Sequence, residues 1–143
     1  MAKVTQKLLI IPGIISPILF FTILTILGLM WPGYNPISTS MSEIGAVDSP
    51  FKDIMNYAGF SLLGFFFVIF SIGLKIFYEN DLISSIASLI FLVGGIFMFL
   101  VGFLPCDPQC IDITPIGQLH SLISMLSAIL VSFGVIISAN PIS

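Results

Sequence analysis

The chain has 143 residues, of which only four are basic, all of them lysine, and seven are acidic, so that 8% of it is charged. An average soluble domain is about 25% charged. Apolar residues make up 57% of the chain and the mean hydropathy is +1.18. A soluble domain of this size could not bury so much apolar surface, and a nucleic-acid binder would need a basic face. The composition therefore excludes an ordinary soluble protein, a disordered chain and a nucleic-acid binder, and predicts an integral membrane protein with the lipid bilayer as its first partner.

Four apolar segments, at about residues 8–31, 52–77, 82–104 and 115–138, are long enough to be membrane spans. A helix needs roughly 20 residues to cross a hydrocarbon core about 30 Å thick. Lipid offers no partner to an unpaired backbone group, and the segments are too long and too uniformly apolar for barrel strands. The predicted fold is all-α, a single transmembrane domain forming an up-down four-helix bundle.

The connections carry signals of helix starts. Ser49-Pro50 and Thr114-Pro115 each place an N-cap residue before a proline at the first helical position. Ser40 and Glu43 have capping-box spacing, which predicts a short helical turn in the first loop. The segment 78–81 has room only for a tight turn, so the second and third helices are predicted to be antiparallel neighbours.

The distribution of lysines predicts the orientation. With four spans, both termini and the 78–81 turn share one side of the membrane, which holds Lys3, Lys7 and Lys75, while the other side holds only Lys52. By the positive-inside rule the termini are expected in the cytoplasm, with the protein in the plasma membrane of the cell.

This topology predicts an acidic outer face with one histidine close below it. Five carboxylates and one lysine lie there, a net charge of −4, and the carboxylates are Glu43, Asp48, Asp53, Asp107 and Asp112. His120 is about five residues into the fourth helix, roughly 7–8 Å below its outer end at 1.5 Å per residue.

Two kinds of site are candidates on this face. Asp107, Asp112 and His120 are suitable ligands for a divalent metal, and His120, Asp107 and Glu43 could act as a general acid–base set. The alternative is that the aspartates are solvated loop residues and that His120 hydrogen-bonds a neighbouring carboxylate or carbonyl. No fixed metal-ligand spacing is present, so both interpretations stay open.

The two cysteines occur together in Cys106-Asp107-Pro108-Gln109-Cys110. A zinc site would need two such pairs or added histidines, and disulfides persist on the outer side of a membrane. We expect a Cys106–Cys110 disulfide; a redox-active pair is the alternative, although its usual motif separates the cysteines by two residues.

A stripe of His120, Ser124, Ala128 and Ser132 recurs every four residues and so follows one face of the fourth helix. Small and hydroxyl residues allow close helix packing in membranes. The alternative is a polar pathway, but no charge lies near the middle of any span, as an ion transporter usually requires.

Two loop segments resemble a known family. They are Gly33-Tyr34-Asn35-Pro36, followed by Met41-Ser42-Glu43-Ile44-Gly45, and Phe103-Leu104-Pro105-Cys106-Asp107, followed by Thr114 and Gly117-Gln118-Leu119-His120. They are similar to the signatures of the domain of unknown function 998 membrane proteins, with Leu104 as an insertion in the second. The resemblance covers about residues 8–138. It implies a multispan prokaryotic membrane protein, commonly with about six spans, and puts Glu43, Asp107 and His120 on polar signature positions.

Three functions of different kinds follow. The first is an accessory or structural subunit of a membrane complex, or a homo-oligomer. The short loops and the small residues on the helix faces favour it. The second is a membrane-embedded enzyme or a lipid-headgroup or metal-binding protein that uses the outer Glu, Asp and His residues. The third is a carrier. No nucleotide, haem or flavin cofactor is expected, since one histidine cannot provide bis-histidine ligation and no glycine-rich phosphate loop is present.

Overall fold

The computed structural model describes residues 2–78 and 81–139, with no description of the side chains of residues 2–7. The side chains of Lys3 and Lys7, and residues Glu79 and Asn80 of the predicted turn, therefore lie outside the described residues. Within the described part there are four long helices and no strand: α1 (Ala2–Met30), α2 (Leu62–Phe77), α3 (Leu82–Val101) and α4 (Pro115–Ser138). A π-helix, Ile54–Ser61, leads directly into α2, and short 3₁₀ turns occupy Met41–Gly45 and Pro108–Cys110.

The predicted fold class is confirmed. Four segments are long and apolar enough to cross a membrane, namely Leu8–Met30, Ile54–Phe77, Leu82–Val101 and Pro115–Ser138. The turn predicted from Ser40 and Glu43 is the 3₁₀ turn Met41–Gly45, and the Glu43 carboxylate accepts a hydrogen bond from the Ser40 backbone N–H at 3.0 Å. The predicted proline start of α4 is also observed, with Thr114 as its N-cap.

Two helix boundaries differ from the prediction. The third helix ends at Val101 rather than near residue 104, because Gly102 follows it and the chain turns before Pro105. The second span begins as a π-helix, in which the buried Asn56 side chain donates a hydrogen bond to the Gly45 carbonyl at 2.9 Å. This hydrogen bond links the start of the second span to the first loop.

The helices pack in chain order, α1 on α2, α2 on α3 and α3 on α4. Glycines permit the closest approach between neighbouring helices. A Cβ on Gly64 of α2 would overlap backbone atoms of Gly95 and Phe99 on α3. The Ser127 hydroxyl donates to the Gly94 carbonyl at 2.8 Å and joins α4 to α3. In lipid such small-residue packing and interhelical hydrogen bonds hold helices together, since apolar burial against apolar tails contributes little.

The main buried core lies toward the end of the bundle that carries the two long loops, residues 31–53 and 102–114. We call this end the loop end. Ile44 and Met55 are fully buried there, beside Phe60 and Val101. A second, smaller core of Leu74, Ala87 and Phe91 lies toward the opposite end.

Candidate functional site

The two loops are joined to each other at the loop end. The Val47 backbone N–H donates to the Cys106 carbonyl at 3.0 Å, and the Cys106 sulfur lies 3.3 Å from the Ser42 carbonyl oxygen. Cys106 and Cys110 form a disulfide bond, which closes the second loop around Asp107. The loops therefore form one connected surface rather than two independent segments.

Asp107 is buried and fully engaged by the residues that start α4. One carboxylate oxygen accepts the backbone N–H groups of Ile113 at 2.8 Å and Thr114 at 2.7 Å, and the other accepts the Thr114 hydroxyl at 2.8 Å. The hydrogen bond from the Thr114 backbone, which favours the charged form, lowers the pKa of Asp107 despite the opposing effect of burial. A Cβ on Gly117 would overlap this carboxylate. The arrangement lets Asp107 hold the second loop against the N-terminus of α4.

His120 is enclosed in the bundle below the loops. Its side chain is 1% exposed, Nδ1 lies 2.5 Å from the Leu104 carbonyl oxygen, and the ring makes an edge contact with Phe60 at 6.3 Å between centroids. Nε2 is buried and has no hydrogen-bond partner among the residues described here. Of the two contacts expected for His120, a carboxylate or a carbonyl, the structure shows the carbonyl.

Asp112 is exposed in the second loop just before α4, and its carboxylate accepts the Ser121 hydroxyl at 2.5 Å. Within residues 2–78 and 81–139, no three His, Cys, Asp or Glu side chains come together in a way that could hold a metal ion. Asp107, Asp112 and His120 each have a separate set of partners, so the structure does not assemble them into one site.

Glu43 lies in a different environment, a cavity of about 210 Å³ in the first loop. The cavity is lined by Trp31, Pro32, Gly33, Tyr34, Thr39 and Glu43. The Trp31 and Tyr34 rings are nearly parallel, 15° apart with centroids separated by 6.0 Å. Burial raises the pKa of the Tyr34 phenol, and the Glu43 charge raises it further.

A second, apolar groove of about 290 Å³ lies along the side of α1. Tyr34 lines both. The other residues of the groove are Leu24, Thr25, Gly28 and Leu29 on the last two turns of α1, and Pro36 and Met41 in the first loop. Leu29 is 84% exposed, so the groove opens toward the surroundings of the bundle at the end of the first span.

Sequence reasoning singled out Glu43 but missed the aromatic residues beside it. Trp31 is the only tryptophan of the chain and follows the last residue of α1, a position where aromatic residues often mark the membrane interface. That signal was available. The cavity itself was not, because its shape depends on how the first loop folds back over Gly28, where a Cβ would lie 2.9 Å from the Tyr34 ring.

The helices and their apolar surfaces define a polytopic α-helical membrane protein. The family model for proteins of unknown function DUF998 matches residues 14–142. The chain therefore belongs to the DUF998 family, as the two loop segments indicated. Neither the curated proteins nor the solved structures contain a match.

Proposed function

We propose that this small membrane protein binds an amphiphile of the bilayer at its loop end, with the head group beside Glu43 and the chain along α1. One observation carries the proposal: Tyr34 lines both a polar cavity and an apolar groove. A molecule with a polar head and an apolar tail is the ligand whose two parts match these two environments.

The groove supports binding of an acyl chain by its position and lining. It follows α1 from Leu24 to Leu29, at the end of the first span, where a lipid chain begins below its head group. Its volume of about 290 Å³ is near the lower limit of small-molecule sites, about 300 Å³, which suits a part of a lipid chain rather than a whole lipid.

The experiment compares lipids that remain bound after mild detergent extraction, by native mass spectrometry. Thr25→Phe places a ring in the groove, and Ile14→Phe places the same ring on an exposed position of α1 that lies outside the groove. We expect wild type and Ile14→Phe to retain a lipid adduct that Thr25→Phe loses. Equal retention by all three proteins would refute the proposal.

A structural subunit or homo-oligomer is the second candidate, and a specific groove favours it. Only 11% of the α1 span and 17% of the α4 span are buried within the chain, against 44% of the second span. Between α1 and α4 lies a groove of about 230 Å³, where Phe20 and Phe21 face Ala128 and Ser132. The lower part of the predicted small-residue stripe thus lines a surface suited to another helix.

Crosslinking in native membranes tests this second candidate. Under oxidation, Ser132→Cys should give a disulfide-linked pair of chains or a link to another subunit, and Leu122→Cys, exposed on the same helix but outside the groove, should not. A Ser132→Cys protein that remains uncrosslinked in its native membrane would count against the subunit role.

We further propose that the loop end faces the outside of the plasma membrane and that the termini are cytoplasmic. The lysine distribution supports this orientation, and so does the Cys106–Cys110 disulfide, because disulfides persist in oxidising compartments. A membrane-impermeant maleimide should label Cys110 in intact cells after reduction and should leave an Ala2→Cys side chain unlabelled in a C106S/C110S background. The reverse labelling pattern would refute the orientation.

A further inference from the structure

We infer that the head group bound beside Glu43 carries an ammonium ion, so that the ligand is a lipid with an ammonium-bearing head group. This inference rests on the proposed function and adds the chemical class of the ligand. It depends on three features of the cavity: its charge, its aromatic residues and the apolar groove that shares Tyr34 with it.

The charge of the cavity is negative. Glu43 is the one charged residue among those that line it, and Oε1 accepts the Ser40 backbone N–H at 3.0 Å. In the described part of the chain, Lys52 forms an ion pair with Asp53 at 3.6 Å, and this pair does not involve Glu43. A carboxylate in a partly enclosed site attracts a cation more strongly than it would in water, and it repels a phosphate or another anion.

The aromatic residues favour the same ligand. Trp31 and Tyr34 both line the cavity, and the faces of tryptophan and tyrosine rings attract ammonium groups, with quaternary ammonium recognition as the best-known case. The Tyr34 phenol is neutral near pH 7, because the ordinary tyrosine pKa of about 10 is raised here rather than lowered, so it adds no second negative charge to the cavity.

The groove distinguishes a lipid from a free ammonium ion. A soluble cation would use the cavity alone, whereas a lipid would also occupy the groove between Thr25 and Met41. A phosphate next to the ammonium group would then lie away from Glu43. We therefore expect ethanolamine and choline lipids to bind better than lipids that carry only a phosphate and hydroxyl groups.

Trp31 provides the measurement, since it is the only tryptophan and lines the cavity. The full chain in nanodiscs is titrated with phosphatidylethanolamine, phosphatidylcholine or phosphatidylglycerol brominated in the acyl chains, and quenching of Trp31 fluorescence is followed. We expect saturable quenching by the first two lipids at a mole fraction about tenfold lower than for phosphatidylglycerol, which corresponds to about 1.4 kcal/mol.

Glu43→Gln tests the role of the charge. Glutamine keeps an oxygen that can accept the Ser40 N–H, so the first loop should keep its fold. We expect this variant to lose the tenfold preference. Asp48→Asn is the matched control, because it removes an exposed carboxylate from the same loop outside the cavity, and it should keep the preference.

The outcomes separate the inference from the proposed function. Equal saturable quenching by all three lipids, abolished by Thr25→Phe, would overturn the ammonium inference and leave amphiphile binding intact. Quenching that never saturates and ignores Thr25→Phe would overturn amphiphile binding. Competition by tetramethylammonium chloride would support ammonium recognition, and binding of that salt without any saturable lipid binding would overturn the lipid as the ligand.

Discussion

The Thr114 hydroxyl gives a direct test of how the second loop is held on the bundle. The hydroxyl oxygen accepts a hydrogen bond from the Gly117 backbone N–H at 3.1 Å, and the hydroxyl O–H donates one to the Asp107 carboxylate at 2.8 Å. Thr114→Val keeps the branched shape of the side chain and removes both bonds. We therefore expect this single change to weaken both the cap of α4 and the attachment of the loop.

The size of the effect follows from these two bonds. Loss of an N-cap hydroxyl costs about 1 kcal/mol, and a hydrogen bond to a charged group contributes about 1.5–3 kcal/mol. Thr114 is exposed, so water can replace part of its contact with Asp107 and the lower end of the second range applies. The expected loss is about 2–2.5 kcal/mol of unfolding free energy.

Titration with SDS in mixed dodecylmaltoside micelles, followed by Trp31 fluorescence, measures that free energy. Thr114→Ser keeps the hydroxyl and should lose less than about 0.5 kcal/mol, the usual effect of a surface substitution. Equal stability of wild type and Thr114→Val would refute the reasoning. An equal loss in the serine variant would refute it as well, since shape rather than hydrogen bonding would then be responsible.

Three further predictions concern the loops and the helix packing. The pKa of Asp107 is lowered in the folded protein. Its carboxylate should therefore stabilise the fold above the ordinary carboxyl pKa of about 3.9, and this stabilisation should be lost as the pH falls through the folded pKa. Acid unfolding of Asp107→Asn should lack this loss, and a curve identical to that of the wild type would contradict the prediction. Gly64→Ala should cost about 1–3 kcal/mol in SDS unfolding, because its Cβ would meet backbone atoms. In Gly134→Ala the added Cβ would meet an aromatic side chain instead of backbone, so this variant should lose less stability. Equal losses of stability in the two variants would argue against the close contact between α2 and α3 at Gly64. Cys106 and Cys110 should resist alkylation until the protein is reduced, as intact mass spectrometry can show; alkylation of the unreduced protein would rule out the disulfide.

Much of the fold could be predicted because its signals are local. The length of each apolar segment predicts a span, and Thr114-Pro115 predicts the start of α4, where the structure has it. Ser40 and Glu43 similarly predict the turn at Met41–Gly45. The π-helix could not be predicted this way, because it accompanies a hydrogen bond between Asn56 and Gly45, which belong to different elements.

The candidate site was predicted only in part. Glu43, Asp107 and His120 were selected because they are polar residues expected on one face, but polarity and topology say nothing about the partners of each side chain. In the structure Asp107 is held by Thr114 and Ile113, and His120 by the Leu104 carbonyl. Glu43 instead borders an open cavity.

The amino-acid sequence alone determined that this protein is a membrane-spanning bundle of four helices, because lipid requires every span to be apolar and to pair its own backbone groups. The tertiary structure alone decided which polar group has room for a ligand beside it. That depends on the path of the first loop, which places Trp31 and Tyr34 beside Glu43 and above the groove of α1. All residues that line the cavity and the groove lie between Leu24 and Glu43, but the spacing of residues in this segment does not predict how the first loop folds back onto the end of α1.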